Sequence, residues 1–404
     1  MVLRVKCKVI CFFLVFLMIL SMTGIAAKAE ENADAYQSEA YVLMEASTGT
    51  VIDAKNPDKQ LRPASITKIM TLLLIFEAID SGKLHYDDSV SVSEHAASMG
   101  GSQVFLEPNE TQSVNDMIKC ISIASANDAS VAMAEHIAGS EEQFVQMMNE
   151  KAAQLGMKNT HFVNCYGLDT DGHYTTAMDV ALMSRELIKK HSDIFRYSTV
   201  WMDSITHVTK KGSSEFGLSN TNKLLKSYQG ITGLKTGSTG LAKYCLSATA
   251  RRNDMDMIAV IMAAPDTKTR FKEAASLLNY GFSMSSIYKH NTHELELPTI
   301  PLLGGIEEFA SLRPATDFSY LCLKGENPET ITYELVINES CEAPVTFGQV
   351  LGSVRYLYEG KEIGTVDLVA AREYEKASFG DMILKTLHLF FSQKEHSMTT
   401  EAGI

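Results

Sequence analysis

Positive charge is the scarcer sign in this 404-residue chain, with 36 Lys and Arg against 49 Asp and Glu, a net charge of −13. That excludes a protein that grips nucleic acid through its phosphates, which requires concentrated basic residues. Apolar runs of membrane-spanning length are lacking too. The run at the start, Val9–Leu20, has about 12 residues, whereas a spanning helix needs roughly 20. No unit of 20–50 residues repeats, so solenoids and propellers fall away. Cysteines are few and widely spaced, and no C-x-x-C or H-x-x-x-H pair points to zinc. Neither a metal nor an organic cofactor is implied. What is abundant is ordinary: 45% apolar and 21% charged residues exclude a disordered chain and leave room for two or three globular domains.

The first 29 residues read as an export signal. Arg4, Lys6 and Lys8 make a basic start, the apolar run follows, and Ala27-Lys28-Ala29 supplies an A-x-A cleavage site. An uncleaved anchor is the alternative. Cleavage removes four basic residues (Arg4, Lys6, Lys8, Lys28) and no acids, taking the net charge from −13 to about −17. Five cysteines remain: Cys120, Cys165, Cys245, Cys322 and Cys341. An odd, scattered set is no disulfide framework, and Cys120 and Cys245 read as small buried hydrophobes.

The mature chain opens with two short strands, Ala40–Glu45 and Thr50–Ala54, around a Ser47-Thr48-Gly49 turn. The almost wholly apolar stretch Ile69–Phe76 predicts a helix buried on every side. A second apolar helix is expected from Ser113, a plausible N-cap, through Ile123. Leu241–Arg251 and Met255–Ala264 predict a hairpin about Arg252-Asn253-Asp254, and Thr267–Leu278 a closing helix. Strands at both ends with helices between them predict one α/β domain over 38–285. Residues 290–375 change to period-two alternation, as in Ile331–Ile337 and Val354–Tyr358, which predicts a small all-β sandwich. In 378–394, Phe379, Met382, Ile383, Leu387 and Phe390 share one helical face, and Asp381, Lys385, His388 and Ser392 the other. This predicts an amphipathic helix lying on a membrane surface, with packing back on the β domain as the alternative.

Three short patterns carry chemistry: Ser65-Ile66-Thr67-Lys68 (S-x-x-K), Ser125-Ala126-Asn127 (S-x-N) and Lys235-Thr236-Gly237 (K-T-G). Singly they are weak. Ser286-Ile287-Tyr288-Lys289 and Ser113-Val114-Asn115 match the first two as well. Order and setting select among them, because Ser65 is expected to open the buried helix and Ser125 to interrupt an apolar one. K-T-G is expected just before the strand at a sheet edge. A serine hydroxyl needs a base to take its proton, and a lysine one helical turn away can reach it. A lysine is a base only when neutral, and burial beside a second cation moves its pKa that way. Lys235 can supply that cation and also receive a substrate carboxylate. Ser125 can pass a proton to the leaving group, and Asn127 can orient Lys68. Backbone N–H groups of Ser65 and of the strand beyond Lys235 are expected to hold the oxyanion.

The set S-x-x-K, S-x-N, K-T-G is that of penicillin-binding proteins and β-lactamases. Over about residues 38–375 the sequence resembles a low-molecular-mass penicillin-binding protein, a serine-type D-alanyl-D-alanine carboxypeptidase. The likeness extends to Ala64–Thr71, Ser93–Ser102, Gly172–Ala177 with Asp179, and Asn220-Thr221-Asn222. It implies a β-lactamase/transpeptidase-like α/β catalytic domain with an antiparallel sheet, a β-sandwich domain and an amphipathic C-terminal anchor. It also implies peptidoglycan stem peptides as substrate, β-lactams as covalent inhibitors and action outside the cytoplasm. Ser238–Lys243 departs from the pattern, since many members carry His or Tyr after K-T-G; that bears on fine substrate preference. A class A β-lactamase is disfavoured because no E-x-x-x-N occurs between Asp128 and Leu234. A non-catalytic β-lactam sensor or cell-wall binding module is the remaining alternative; the sensor is disfavoured because no second apolar segment of 18 residues exists to cross a membrane.

Overall fold

The computed structural model describes residues 36–384 apart from Lys211. The expected export signal and most of the C-terminal amphipathic segment lie outside the described residues. Contacts divide the chain into two units, meeting at Met284/Ser285.

The first unit is built on a five-stranded antiparallel sheet. Its strands are β1 (Ala40–Glu45), β2 (Val51–Lys55), β3 (Ile231–Thr239), β4 (Lys243–Arg252) and β5 (Met255–Ala264), in the spatial order β2-β1-β5-β4-β3. Asn253 and Asp254 join β4 to β5 with φ of 50° and 58°, the positive pair of a type I′ turn, which matches strand twist. β5 (MDMIAVIMAA) is buried almost throughout, as befits a central strand covered on both faces. The closing helix runs on to Met284, beyond the expected Leu278.

Between β2 and β3 lie α1 (Lys68–Asp80), α2 (Val114–Ser122), α3 (Asn127–Ala138), α4 (Glu141–Gln154) and α5 (Ala177–Lys190). Residues Lys68–Phe76 of α1 are all buried, so packing rather than an amphipathic stripe fixes this helix. Three of the others, α2, α4 and α5, start on side-chain caps. Ser113 accepts the Asp116 N–H at 3.0 Å, Ser140 that of Gln143 at 3.2 Å and Thr176 that of Asp179 at 3.1 Å. A hairpin, Met202–Thr209 with Gly212–Ser219, also lies in this unit and is not foreshadowed by any strong alternation.

Over residues 285–377 the second unit is built of β-strands, with short 3-10 turns. One sheet has four strands in the order Leu312–Pro314, Lys361–Ala370, Val350–Tyr358, Thr332–Ile337. Ile300, Leu302, Phe318, Val354, Tyr356 and Leu368 belong to its core. Phe318 and Tyr356 stack with ring centroids 3.6 Å apart. All five described cysteines are free and buried. Among the described residues no helix is long and apolar enough to cross a membrane.

Candidate active site

Ser65 does not open α1. It sits on a 3-10 turn, Ala64–Thr67, and Lys68 is the first residue of the helix proper. The tighter winding serves the chemistry, because a 3-10 turn eclipses residues i and i+3. Lys68 Nζ lies 3.1 Å from Ser65 Oγ. It also donates to Asn127 Oδ1 at 2.6 Å and to the Tyr166 carbonyl at 2.7 Å. The Asn127 amide is oriented by its own Nδ2, which donates to the Gly100 carbonyl at 2.7 Å, so its oxygen faces the lysine.

Two of these three partners can only accept. They therefore take two N–H bonds of Lys68 whatever its charge. In a neutral amine the third direction, toward Ser65, carries the lone pair. Lys68 is fully buried, and its pKa is held well below the ordinary lysine value, first by burial and then by the charge of Lys235. The arrangement is that of a base aimed at a hydroxyl.

Ser125 lies in the connection between α2 and α3, not within one helix, and has a φ of 62°. Its Oγ accepts from Lys235 Nζ at 2.9 Å, and the same amine donates to the Thr236 carbonyl at 3.1 Å. Lys235, Thr236 and Gly237 do come just before the apolar strand β4, but they lie on a strand of their own, β3, and it is β3 rather than β4 that forms the sheet edge. Burial, then the nearby Arg270, pulls the Lys235 pKa down to about 7. Thr236 Oγ1 is 2.6 Å from Thr221 Oγ1. Gly237 lies against the Ser65 turn: a Cβ there would be 2.9 Å from the Ser65 nitrogen and 3.0 Å from the Ile66 nitrogen. Only a bare backbone lets the strand approach so closely.

The two competing matches are disposed of by geometry. Ser286 and Lys289 lie on the strand Ser285–His290, where residues three apart point to opposite faces. Ser113 is occupied as the N-cap of α2.

Sequence reasoning missed the loop 164–173 and Arg270. Lys68 and Thr71, one turn apart on α1, hold the Tyr166 and Cys165 carbonyls, the latter at 2.5 Å. Asp169 accepts from Thr239 Oγ1 at 2.8 Å, tying the loop to the end of β3. Buried Arg270 donates to the Gly237 and Cys245 carbonyls, both at 3.1 Å, and among the described residues its Nε has no partner. No three-residue pattern advertises a backbone carbonyl, so these contributions are invisible before folding. Among the described residues no cluster of His, Cys, Asp or Glu could hold a metal.

The family described as D-alanyl-D-alanine carboxypeptidase matches residues 26–266, more than half of the sequence. The chain belongs to this family. The C-terminal domain of penicillin-binding protein 5 matches residues 282–376. D-alanyl-D-alanine carboxypeptidase DacF of Bacillus subtilis is 42% identical over 353 residues, spanning 87% of this chain and 90% of its own length. DacA of Escherichia coli is 32% identical over 364 residues, 88% of each chain. The structure of penicillin binding protein 5 from Haemophilus influenzae superposes with a TM-score of 0.72 at 31% identity, covering 84% of this chain and 98% of that one. This member of the carboxypeptidase family is thus a serine-type peptidase with a transpeptidase-like catalytic fold.

Proposed function

We propose that this carboxypeptidase removes the terminal D-alanine from peptidoglycan stem pentapeptides through an acyl-enzyme on Ser65. The observation that carries the assignment is the hydrogen-bonding of Lys68, whose two fixed carbonyl partners leave its remaining direction for the Ser65 hydroxyl. Neutral Lys68 takes the Ser65 proton as Oγ attacks the penultimate carbonyl carbon. The negative oxygen formed is held by backbone N–H groups of Ser65 and of β3, which Gly237 brings against each other. The C–N bond breaks, and the departing D-alanine amine receives its proton by way of Ser125. Water then cleaves the ester. Lys235 and Thr236 bind the substrate's terminal carboxylate, with Arg270 beneath the strand adding positive charge. A β-lactam enters the same first step and stays as a covalent inhibitor.

The enzyme acts on the outer side of the cell membrane, held there by residues 378–394 lying on the lipid surface. Support comes from the exposed apolar side chains of Phe379, Met382 and Ile383 at the start of that segment.

Ser65→Ala tests the assignment. It should abolish both penicillin labelling and D-alanine release. Labelling that persists, or an adduct on Ser286, would overturn it.

A further inference from the structure

Two side chains at positions the three motifs leave unspecified, His173 and Thr67, form a directional chain between backbone groups that ends on the nucleophile turn. The Val163 N–H donates to His173 Nδ1 at 2.9 Å. A backbone N–H can only donate, so Nδ1 must be the unprotonated nitrogen and Nε2 the one that bears hydrogen. His173 Nε2 lies 2.9 Å from Thr67 Oγ1 and therefore donates to it. The Thr67 hydroxyl, its acceptor side filled, donates to the Ala64 carbonyl at 2.9 Å. Each bond sets the polarity of the next, and none can reverse.

Where the chain ends matters. Ala64 precedes the nucleophile and has a φ of 49°, a conformation that an L-residue holds only when its surroundings impose it. Gly167, from the same loop as His173, presses on the same carbonyl. The imidazole itself is 3% exposed and stands edge-on to Phe162, with centroids 5.8 Å apart. Its two ring nitrogens bond to Val163 and Thr67, not to Ser65 or Lys68.

We infer that His173 is a positioning residue for acylation: through Thr67 it holds the Ala64 carbonyl, and with it the strained turn that aims Ser65 at Lys68. The inference rests on the assignment of Ser65 as nucleophile. A consequence is that only the neutral Nε2–H imidazole serves. Burial, with His161 and Arg62 adding to it and Asp169 opposing, brings the His173 pKa down to about 4, so the required form persists at neutral pH.

The test measures the acylation rate constant with a fluorescent penicillin and the thermal midpoint for wild type, His173→Ala, His173→Gln, Thr67→Val and the double variant Thr67→Val/His173→Ala. A glutamine carboxamide offers one accepting atom and one donating atom, as the neutral imidazole does. The expected result is acylation slowed at least tenfold in His173→Ala and Thr67→Val, and restored to within about threefold of wild type in His173→Gln. Because both variants cut one chain, the double variant should lose no more than the worse single one. Acylation unchanged in a folded His173→Ala protein would overturn the inference, as would additive losses in the double variant. So would a His173→Gln protein that regains thermal stability but stays slow. Failure of the wild type to label on Ser65 would instead overturn the assignment on which the inference rests.

Discussion

Lys68 has to be neutral before it can take the Ser65 proton, and that requirement makes Lys235 serve two ends. Its charge lowers the Lys68 pKa, and in the proposed reaction its ammonium receives the substrate carboxylate. The two roles separate with pH. Acylation should fall as pH drops through the lowered Lys68 pKa, because protonated Lys68 has no lone pair to offer. Lys235→Ala removes a neighbouring positive charge, so the Lys68 pKa rises and the acid limb of the profile moves to higher pH. The carboxylate role is read below about pH 7, where Lys235 is still charged: there the variant should lose roughly 2–4 kcal/mol more transition-state binding for a substrate with a free carboxylate than for an amide-capped one, a comparison in which the change at Lys68 cancels. Steady-state kinetics across pH on both substrates decides the matter. Equal losses on the two substrates would show that the lysine does not bind the carboxylate.

Among the elements, the loop 164–173 does what the sheet and helices cannot. It brings a backbone carbonyl to Lys68, a glycine against Ala64 and a carboxylate to the end of β3. Gly167 has a φ of 93°, and a Cβ on it would stand 1.9 Å from the Ala64 oxygen. Backbone cannot yield to that contact as a flexible side chain can. Gly167→Ala should therefore slow acylation at least tenfold and lower the thermal midpoint. Gly156→Ala is the control: its φ is 73°, but nothing lies within 4 Å of the added carbon. It should cost stability on the order of 1 kcal/mol from strain alone and leave acylation near wild type. If the two variants acylate alike, close approach at Gly167 is not what sets the turn. The same scale explains the misplacement of Ser125 and of K-T-G in the sequence reading. Apolar residues on both sides of Ser125 look like one helix, and the glycine-bearing stretch Ile231–Thr239 lacks the β-branched run that marks a strand.

For the molecule as a whole, the expected membrane attachment is a matter of apolar area rather than charge. A body near −17 is repelled by anionic lipid, and Lys376, Lys385 and Lys394 are too few to reverse that. Half-burying several large side chains at about 25 cal/mol per Å² gives a few kcal/mol, enough for reversible binding. Truncation after Ala377 should release the mature enzyme from membranes while its activity on soluble substrate is retained. Fractionation of both forms at low and high salt checks this. Sedimentation of the truncated form, or release of the full-length form by salt alone, would contradict it.

The chemistry of this carboxypeptidase was legible in local sequence because its parts are local. Ser65 and Lys68 lie one turn apart, Ser125 and Asn127 two residues apart, and Lys235 to Gly237 in succession, so spacing alone ties each group together. The buried helix α1 and the paired strands β4 and β5 were legible for a similar reason, since a continuous apolar run reports burial on every side over a few residues. How the three groups meet was decided only by the tertiary structure. Ser125 reaches Lys235 across 110 residues, Asn127 reaches Lys68 across 59 and Tyr166 reaches it across 98. The contacts that tune the site fall on backbone carbonyls, left-handed turns and a histidine whose tautomer depends on a distant N–H. Side-chain identity does not encode these, because their direction exists only once the backbone has been placed.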